Sequence, residues 1–305
     1  MIKIINNEMK TNTLRHKAKL KVIKAEHMGM CFGVRDAITL VNRVADERPL
    51  TVLGELVHNS TVLKKLSNRG VKFVGKPEDV ITETVMITAH GTSNRTRRNV
   101  MQQGLQMQDA TCPLVHYAHK QIHKLIENGC HPVIIGRNGH VEVLGLTDDL
   151  VEYDVVLNEQ DIDKINFHKR FGVIAQTTQP ISHVQALVKY LKSRFPKSKV
   201  RFVDTVCQPT KQRQRAAEEL AMKSDVVLVI GGLNSNNSKE LGKTCAKFCA
   251  NVYHIQSPDD IQITWLDTAK KLGITAGTST PNELINAVEN KVKNIIGKLK
   301  PENDN

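Results

Sequence analysis

The sequence predicts an α/β protein made of three pseudo-symmetric βα lobes around one shared site. Three observations predict it. Short apolar runs alternate with segments of helical period along the chain. Three of the six cysteines occupy the same place in that alternation, after a strand and at the start of a helix. A polar loop then follows each at nearly constant distance: His58 lies 27 residues after Cys31, His140 28 after Cys112, and Ser235 28 after Cys207.

The elements follow in order. Lys21-Val22-Ile23-Lys24-Ala25 reads as the first strand. Cys31 in Met30-Cys31-Phe32-Gly33 opens a helix whose Val34, Ala37, Ile38 and Val41 keep the i, i+3, i+4, i+7 spacing. Val85-Met86-Ile87-Thr88-Ala89 is a second clear strand, and Cys112-Pro113 starts the next helix. Leu187, Tyr190 and Leu191 mark a helix, with Arg194 a polar miss, and Val226-Val227-Leu228-Val229-Ile230 is a buried strand. Each unit ends with a second polar loop: Ala89-His90-Gly91-Thr92-Ser93, Gln176-Thr177-Thr178-Gln179, and Ala276-Gly277-Thr278-Ser279-Thr280. Ligands of parallel α/β sheets gather at the carboxyl ends of strands, where such loops sit. The expected division is an N-terminal extension over 1–20, expected to be disordered, lobes over 21–112, 113–207 and 208–298, and a polar tail over 299–305.

The 305 residues are 40% apolar and 24% charged, ordinary for a globular chain. No apolar run approaches the roughly 18–20 residues that cross a bilayer. The first 20 residues are polar and basic with no apolar signal core, and they contain Glu8 and no serine, which argues against a transit peptide. A cytoplasmic protein with no membrane partner is expected. The net charge of +12 favours an anionic partner, although solvated lysines alone account for such a surface equally well. Aromatics are 4%, too few for a surface built on base stacking, so nucleic acid is not the expected partner. There is no P-loop and no GxGxxG sequence, which excludes the usual signatures of ATP and dinucleotide binding.

Cysteines in a chain without a signal peptide are buried hydrophobes, metal ligands or nucleophiles. No CxxC pair exists, so a zinc ribbon is not indicated. Three converging thiolates suit a tetrahedral zinc completed by a histidine, or a 4Fe–4S cluster with three cysteine ligands and one open iron. Three polar loops around the site would serve no purpose at a closed structural zinc, which favours the cluster. Cys130, Cys245 and Cys249 lack this context and read as core cysteines.

His58, His90 and His140, with Ser235, Asn237 and Ser279, are donors suited to phosphate oxygens. Asn237 with Glu240, and Thr280 with Pro281 and Glu283, carry helix-cap spacings. A plain cap is the simpler role for any one of them. Glu142, two residues past His140, is a candidate proton donor if burial raises its pKa.

These segments, in this order, resemble the LytB-type 4-hydroxy-3-methylbut-2-enyl diphosphate reductases from about Val22 to Lys298. The carriers are Met30-Cys31-Phe32-Gly33-Val34, Val57-His58-Asn59, Ala89-His90-Gly91, Asp109-Ala110-Thr111-Cys112-Pro113, Gly139-His140-Val141-Glu142, Gln176-Thr177-Thr178, Cys207-Gln208-Pro209-Thr210, Asn234-Ser235-Asn236-Asn237-Ser238 and Thr275-Ala276-Gly277-Thr278-Ser279. The resemblance implies a three-lobed trefoil around a 4Fe–4S cluster held by Cys31, Cys112 and Cys207. It implies a diphosphate set of His58, His90, His140, Ser235, Asn236, Asn237 and Ser279. Glu142 is then the proton-relay carboxylate, beside His140, and Thr177 positions the substrate hydroxyl. The implied reaction is reductive dehydration of an allylic diphosphate to isopentenyl and dimethylallyl diphosphates, with electrons from a ferredoxin or flavodoxin. Both donors are acidic, which gives the +12 charge a second use. Val141 stands where the family usually has proline, Gln208-Pro209 replaces an aromatic-alanine pair, and Asn236 replaces a serine. These departures leave room for a paralogue acting on another allylic or phosphorylated compound. A binding protein stapled by a metal, with its basic surface on nucleic acid, is the reading from a different class. The oligomeric state is not legible.

Overall fold

A computed structural model describes residues 20–298. The extension over 1–19 and the tail over 299–305 lie outside the described residues. The described chain forms three parallel four-stranded sheets flanked by helices. The elements are β1 (Lys21–Lys24), α1 (Phe32–Glu47), β2 (Leu50–Leu53), α2 (Ser60–Asn68), β3 (Lys72–Val74), β4 (Thr84–Ile87), α3 (Asn94–Gln102), β5 (Gln106–Asp109) and α4 (Pro113–Glu127). There follow β6 (His131–Ile135), α5 (Val141–Thr147), β7 (Asp154–Val156), α6 (Glu159–Asp163), β8 (Arg170–Ala175), α7 (Ile181–Arg194), β9 (Lys199–Phe202) and α8 (Gln208–Ala221). The last are β10 (Val226–Ile230), α9 (Asn236–Ala246), β11 (Val252–Ile255), β12 (Lys271–Ala276) and α10 (Asn282–Lys298).

The sheet orders are β3-β2-β4-β5, β7-β6-β8-β9 and β11-β10-β12-β1. The same pattern occurs three times, except that the chain's N-terminus supplies the last strand of the third sheet. Lys21 pairs with Lys271 and Lys24 with Ile274, in parallel. The expectation that 21–24 belongs to the first lobe is therefore corrected. A parallel edge strand reaches its neighbour through a crossover, so either chain end can supply it. Leu20, placed in the extension, packs on the core of this third lobe.

Helices cover both faces, so the central strands are buried on both sides and read as unbroken apolar runs. All of Val226–Ile230 is buried. The amphipathic face of α1, with Ala37, Val41 and Val44, packs on Leu50, Val52 and Met86 of the first sheet. Phe171 and Val173 anchor one face of the second lobe, against α7. The third lobe buries Cys245 and Cys249 between α8, α9 and the sheet, in agreement with their reading as core cysteines.

Candidate active site

Cys31, Cys112 and Cys207 each occupy the position before a helix: α1, α4 and α8. None uses its side chain as a cap, so the thiols are free to face the centre. Three equivalent backbone bonds hold them. The N–H of Cys31 donates to the Thr278 carbonyl at 3.1 Å, that of Cys112 to Ala89 at 3.1 Å, and that of Cys207 to Thr177 at 3.0 Å. Each acceptor lies in the polar loop after the third strand of a lobe, so one loop fixes a cysteine and carries the next side chain into the pocket.

The three thiols are free and half-buried. Cys31 acts electrostatically on both Cys112 and Cys207, and so does Glu142. Burial pushes the Cys112 thiol up and the Cys207 thiol up to about 11. The Cys207 thiol donates to Thr210 Oγ1 at 3.0 Å. Gly33 is needed here: a Cβ on it would stand 2.5 Å from Cys112 Sγ. The buried Arg213 guanidinium donates to the Gly29 carbonyl through Nε and Nη2, at 3.0 and 2.7 Å, and its charge reaches Cys31 and Cys207. A guanidinium set beside thiolates suits an anionic metal–thiolate group. No trio of His, Cys, Asp or Glu among the described residues stands as a single-ion site.

Three histidines from two lobes meet one another. The His58 ring lies 4.4 Å from His90 and 5.3 Å from His140, and His90 lies 6.0 Å from His140. His140 caps α5 by accepting the Glu142 N–H on Nδ1 at 3.1 Å, which leaves Nε2 free. Burial, then His58 and His140, holds His90 well below the ordinary imidazole value. Burial, then His58 and Arg137, brings His140 down to about 4. Burial thus disfavours the charged form of both rings. His58 Nε2 and His90 Nδ1 are buried and unpartnered within the protein. Such groups are costly to bury without a partner, so they await one.

Glu142 is 2% exposed, which meets the burial condition for a raised pKa. Its carboxylate accepts the Thr177 N–H at 2.7 Å and the Thr177 hydroxyl at 3.0 Å. Burial raises it to about 7 against the pull of those two bonds.

The third lobe contributes Ser235, Asn236, Asn237 and Ser279. Ser235 is the cap of α9 and accepts the Ser238 N–H at 3.3 Å. Asn237 lies inside that helix, so the expected capping box with Glu240 does not form; Glu240 instead binds Lys243. Its Oδ1 accepts the Thr278 N–H at 3.0 Å and its Nδ2 is buried without a partner. Thr280 likewise does not cap α10: its hydroxyl donates to the Ile230 carbonyl. Asn236 donates to Thr178 Oγ1 at 3.2 Å, and Ser279 to the His58 carbonyl at 3.2 Å. A Cβ on Gly232 would stand 2.5 Å from that same carbonyl, so the first and third lobes meet backbone to backbone here.

The threefold match also exposes residues that the sequence reading missed. His90 and Ser279 each follow the residue whose carbonyl holds a cysteine, and the equivalent in the second lobe is Thr178. Its hydroxyl accepts from Gln176 Nε2 and Asn236 Nδ2, both at 3.2 Å, which leaves its proton to donate. The spacing held a further signal. Asn59, 28 residues after Cys31, is the cap equivalent to His140 and Ser235, and His58 stands one residue before it.

The LytB protein family model matches residues 22–293. A 4-hydroxy-3-methylbut-2-enyl diphosphate reductase of Caldanaerobacter subterraneus subsp. tengcongensis is 33% identical over 286 residues, covering 91% of this chain and 98% of the relative. One of Saccharophagus degradans is 35% identical over 90% of this chain and 92% of the relative. The solved E-1-hydroxy-2-methyl-but-2-enyl-4-diphosphate reductase of Plasmodium falciparum superposes with a TM-score of 0.84 at 27% identity, over 94% of this chain and 90% of that one. A second solved structure, described as the terminal enzyme of the non-mevalonate pathway, is 33% identical with a TM-score of 0.65, over 90% of this chain and 99% of that one. With the family model spanning most of the sequence and relatives a third identical over nine-tenths of it, the chain belongs to the LytB family.

Proposed function

We propose that this protein catalyses the reductive dehydration of 4-hydroxy-3-methylbut-2-enyl diphosphate to isopentenyl and dimethylallyl diphosphates, the terminal step of the non-mevalonate pathway. One observation carries the reading. Three thiols within electrostatic reach of one another, a buried carboxyl group that acts on two of them and three mutually packed histidines lie in a chain whose relatives bear that enzyme's name. When bound to Cys31, Cys112 and Cys207, a 4Fe–4S cluster with one iron free of cysteine supplies the two electrons.

The chain's own groups do the rest. His58, His90 and His140, with Thr178, Ser235, Asn237 and Ser279, hold the diphosphate, and the unpartnered His58 Nε2, His90 Nδ1 and Asn237 Nδ2 support that role. Anchoring the diphosphate sets the allylic end beside the thiols. Glu142 is poised at about 7 to hold a proton and deliver it to the departing hydroxyl, which leaves as water. Thr177 fixes the carboxyl group through two bonds. Two electrons and two protons enter per turnover; one proton leaves in water and the other ends on carbon. A ferredoxin or flavodoxin is the proposed electron donor and the cytoplasm the proposed location. No helix among the described residues is long and apolar enough to cross a membrane.

The test is an anaerobic assay of reconstituted protein with reduced viologen and the named substrate, with products read by mass spectrometry. The two C5 diphosphates are expected. An intact cluster with no product would contradict the proposal and favour the paralogue reading, for which Asn236 bound to Thr178 is the specific observation.

A further inference from the structure

His58 receives something from its neighbours that the other two histidines lack. Its Nδ1 lies 3.0 Å from Glu55 Oε2. Glu55 follows Gly54, whose φ of +93 turns the chain at the end of β2. Leu56 and Val57 are fully buried behind it and fix the backbone. The Glu55 side chain is half-exposed, at 49%, and lines the cleft between the first and second lobes with Thr92, Val141, Leu144 and Tyr153. The carboxylate thus stays hydrated while it meets the outer nitrogen of a ring whose inner nitrogen is sealed from water. His90 Nδ1, like His58 Nε2, is left without a protein partner.

We infer that Glu55 is a positioning residue for His58, orienting its Nε2 towards a bound diphosphate. The inference rests on the diphosphate reading of the pocket. A carboxylate accepts hydrogen bonds only, so His58 Nδ1 carries a proton directed at Glu55. Diphosphate oxygens also accept. The bound ring then lies between two hydrogen-bond acceptors. The other titratable rings facing His58 are His90 and His140, with Arg137 acting on His140 from the same loop. Neither His90 nor His140 has a carboxylate hydrogen-bonded to its ring among the described residues, so this rear support is particular to His58. The arrangement is that of a histidine held by a carboxylate behind it, in which the rear partner sets tautomer and aim.

The test uses cluster-loaded protein and inorganic pyrophosphate as the probe. Calorimetry is expected to show Glu55→Gln binding pyrophosphate about tenfold or more weakly than the wild type, the cost of removing one charge-assisted bond. Nitrogen-15 spectra should show His58 protonated on Nδ1 in the wild type and a loss of that preference in the variant. Iron content and melting temperature should match the wild type, which separates positioning from folding. Equal pyrophosphate affinity in the two proteins, or a His58 tautomer that ignores the change, overturns the inference. Pyrophosphate binding does not depend on turnover, so a wild type that binds it and fails on the named substrate sinks only the substrate assignment. A wild type that does not bind it sinks the inference.

Discussion

In its proposed role, Glu142 trades stability for chemistry. Its pKa is raised from 4.5 to about 7 by burial. The sign follows: the fold keeps this group's full contribution below the unfolded value and loses it as pH rises through about 7, because the unfolded chain ionises more easily. The cost above that range is about 3 kcal/mol at most. Replacing Glu142 with Gln removes the ionisation and the proton. The variant should unfold at higher denaturant than the wild type at about pH 8, with little difference near pH 4. Its turnover should fall by about a hundredfold or more, the usual worth of a positioned acid. Equal stability at both pH values, or normal turnover, would remove Glu142 from the account. The sequence offered Glu142 as a candidate because it follows His140, but its burial depends on β8 delivering Thr177 and is invisible along the chain. Glu55 was missed for a similar reason. Nothing in Gly54-Glu55-Leu56-Val57-His58 distinguishes a residue that holds a histidine from one that faces water.

At the scale of elements, the caps were the hardest features to read. Ser, Thr and Asn suit caps and phosphate contacts equally, so the spacing at Asn237 and Thr280 suggested helix starts that lie elsewhere. The start of α3 gives the opposite lesson. Asp149, from the second lobe, accepts the Asn94 and Arg95 N–H groups at 2.6 and 2.9 Å, and Asp148 accepts the Ser93 hydroxyl at 2.6 Å. A carboxylate pair thus caps a helix across a lobe boundary, just after the loop that carries His90. No local spacing could reveal it, since the partners are 54 and 55 residues apart. Asp149→Ala strands two helix-end donors and should cost about 0.5–2 kcal/mol of stability, measured by urea unfolding. An unchanged unfolding midpoint would show that the lobes do not depend on this contact.

At the scale of the molecule, the threefold plan was legible and its permutation was not. Cysteine is rare, so three cysteines at matched places, each followed by a polar loop, carried the lobe count and the shared centre. The strand Lys21–Lys24 joins a sheet made otherwise from residues beyond 225, and proximity in sequence pointed to the wrong lobe. Each cysteine thus follows the last strand of one lobe and opens the first helix of the next. The three ligand candidates sit at the seams, where closing the lobes brings them together. The 27-residue interval before His58, against 28 elsewhere, was a visible irregularity that marked a local difference in role.

The central claim is that three seam cysteines hold one four-iron cluster and leave one iron to the pocket of histidines and Glu142. A Mössbauer spectrum of protein reconstituted with iron-57, recorded with and without 4-hydroxy-3-methylbut-2-enyl diphosphate, tests it most directly. The account predicts three irons in like environments and one distinct, with only the distinct signal moving when the substrate is added. Four equivalent irons, a stoichiometry below four, or a spectrum that the substrate leaves unchanged would contradict it.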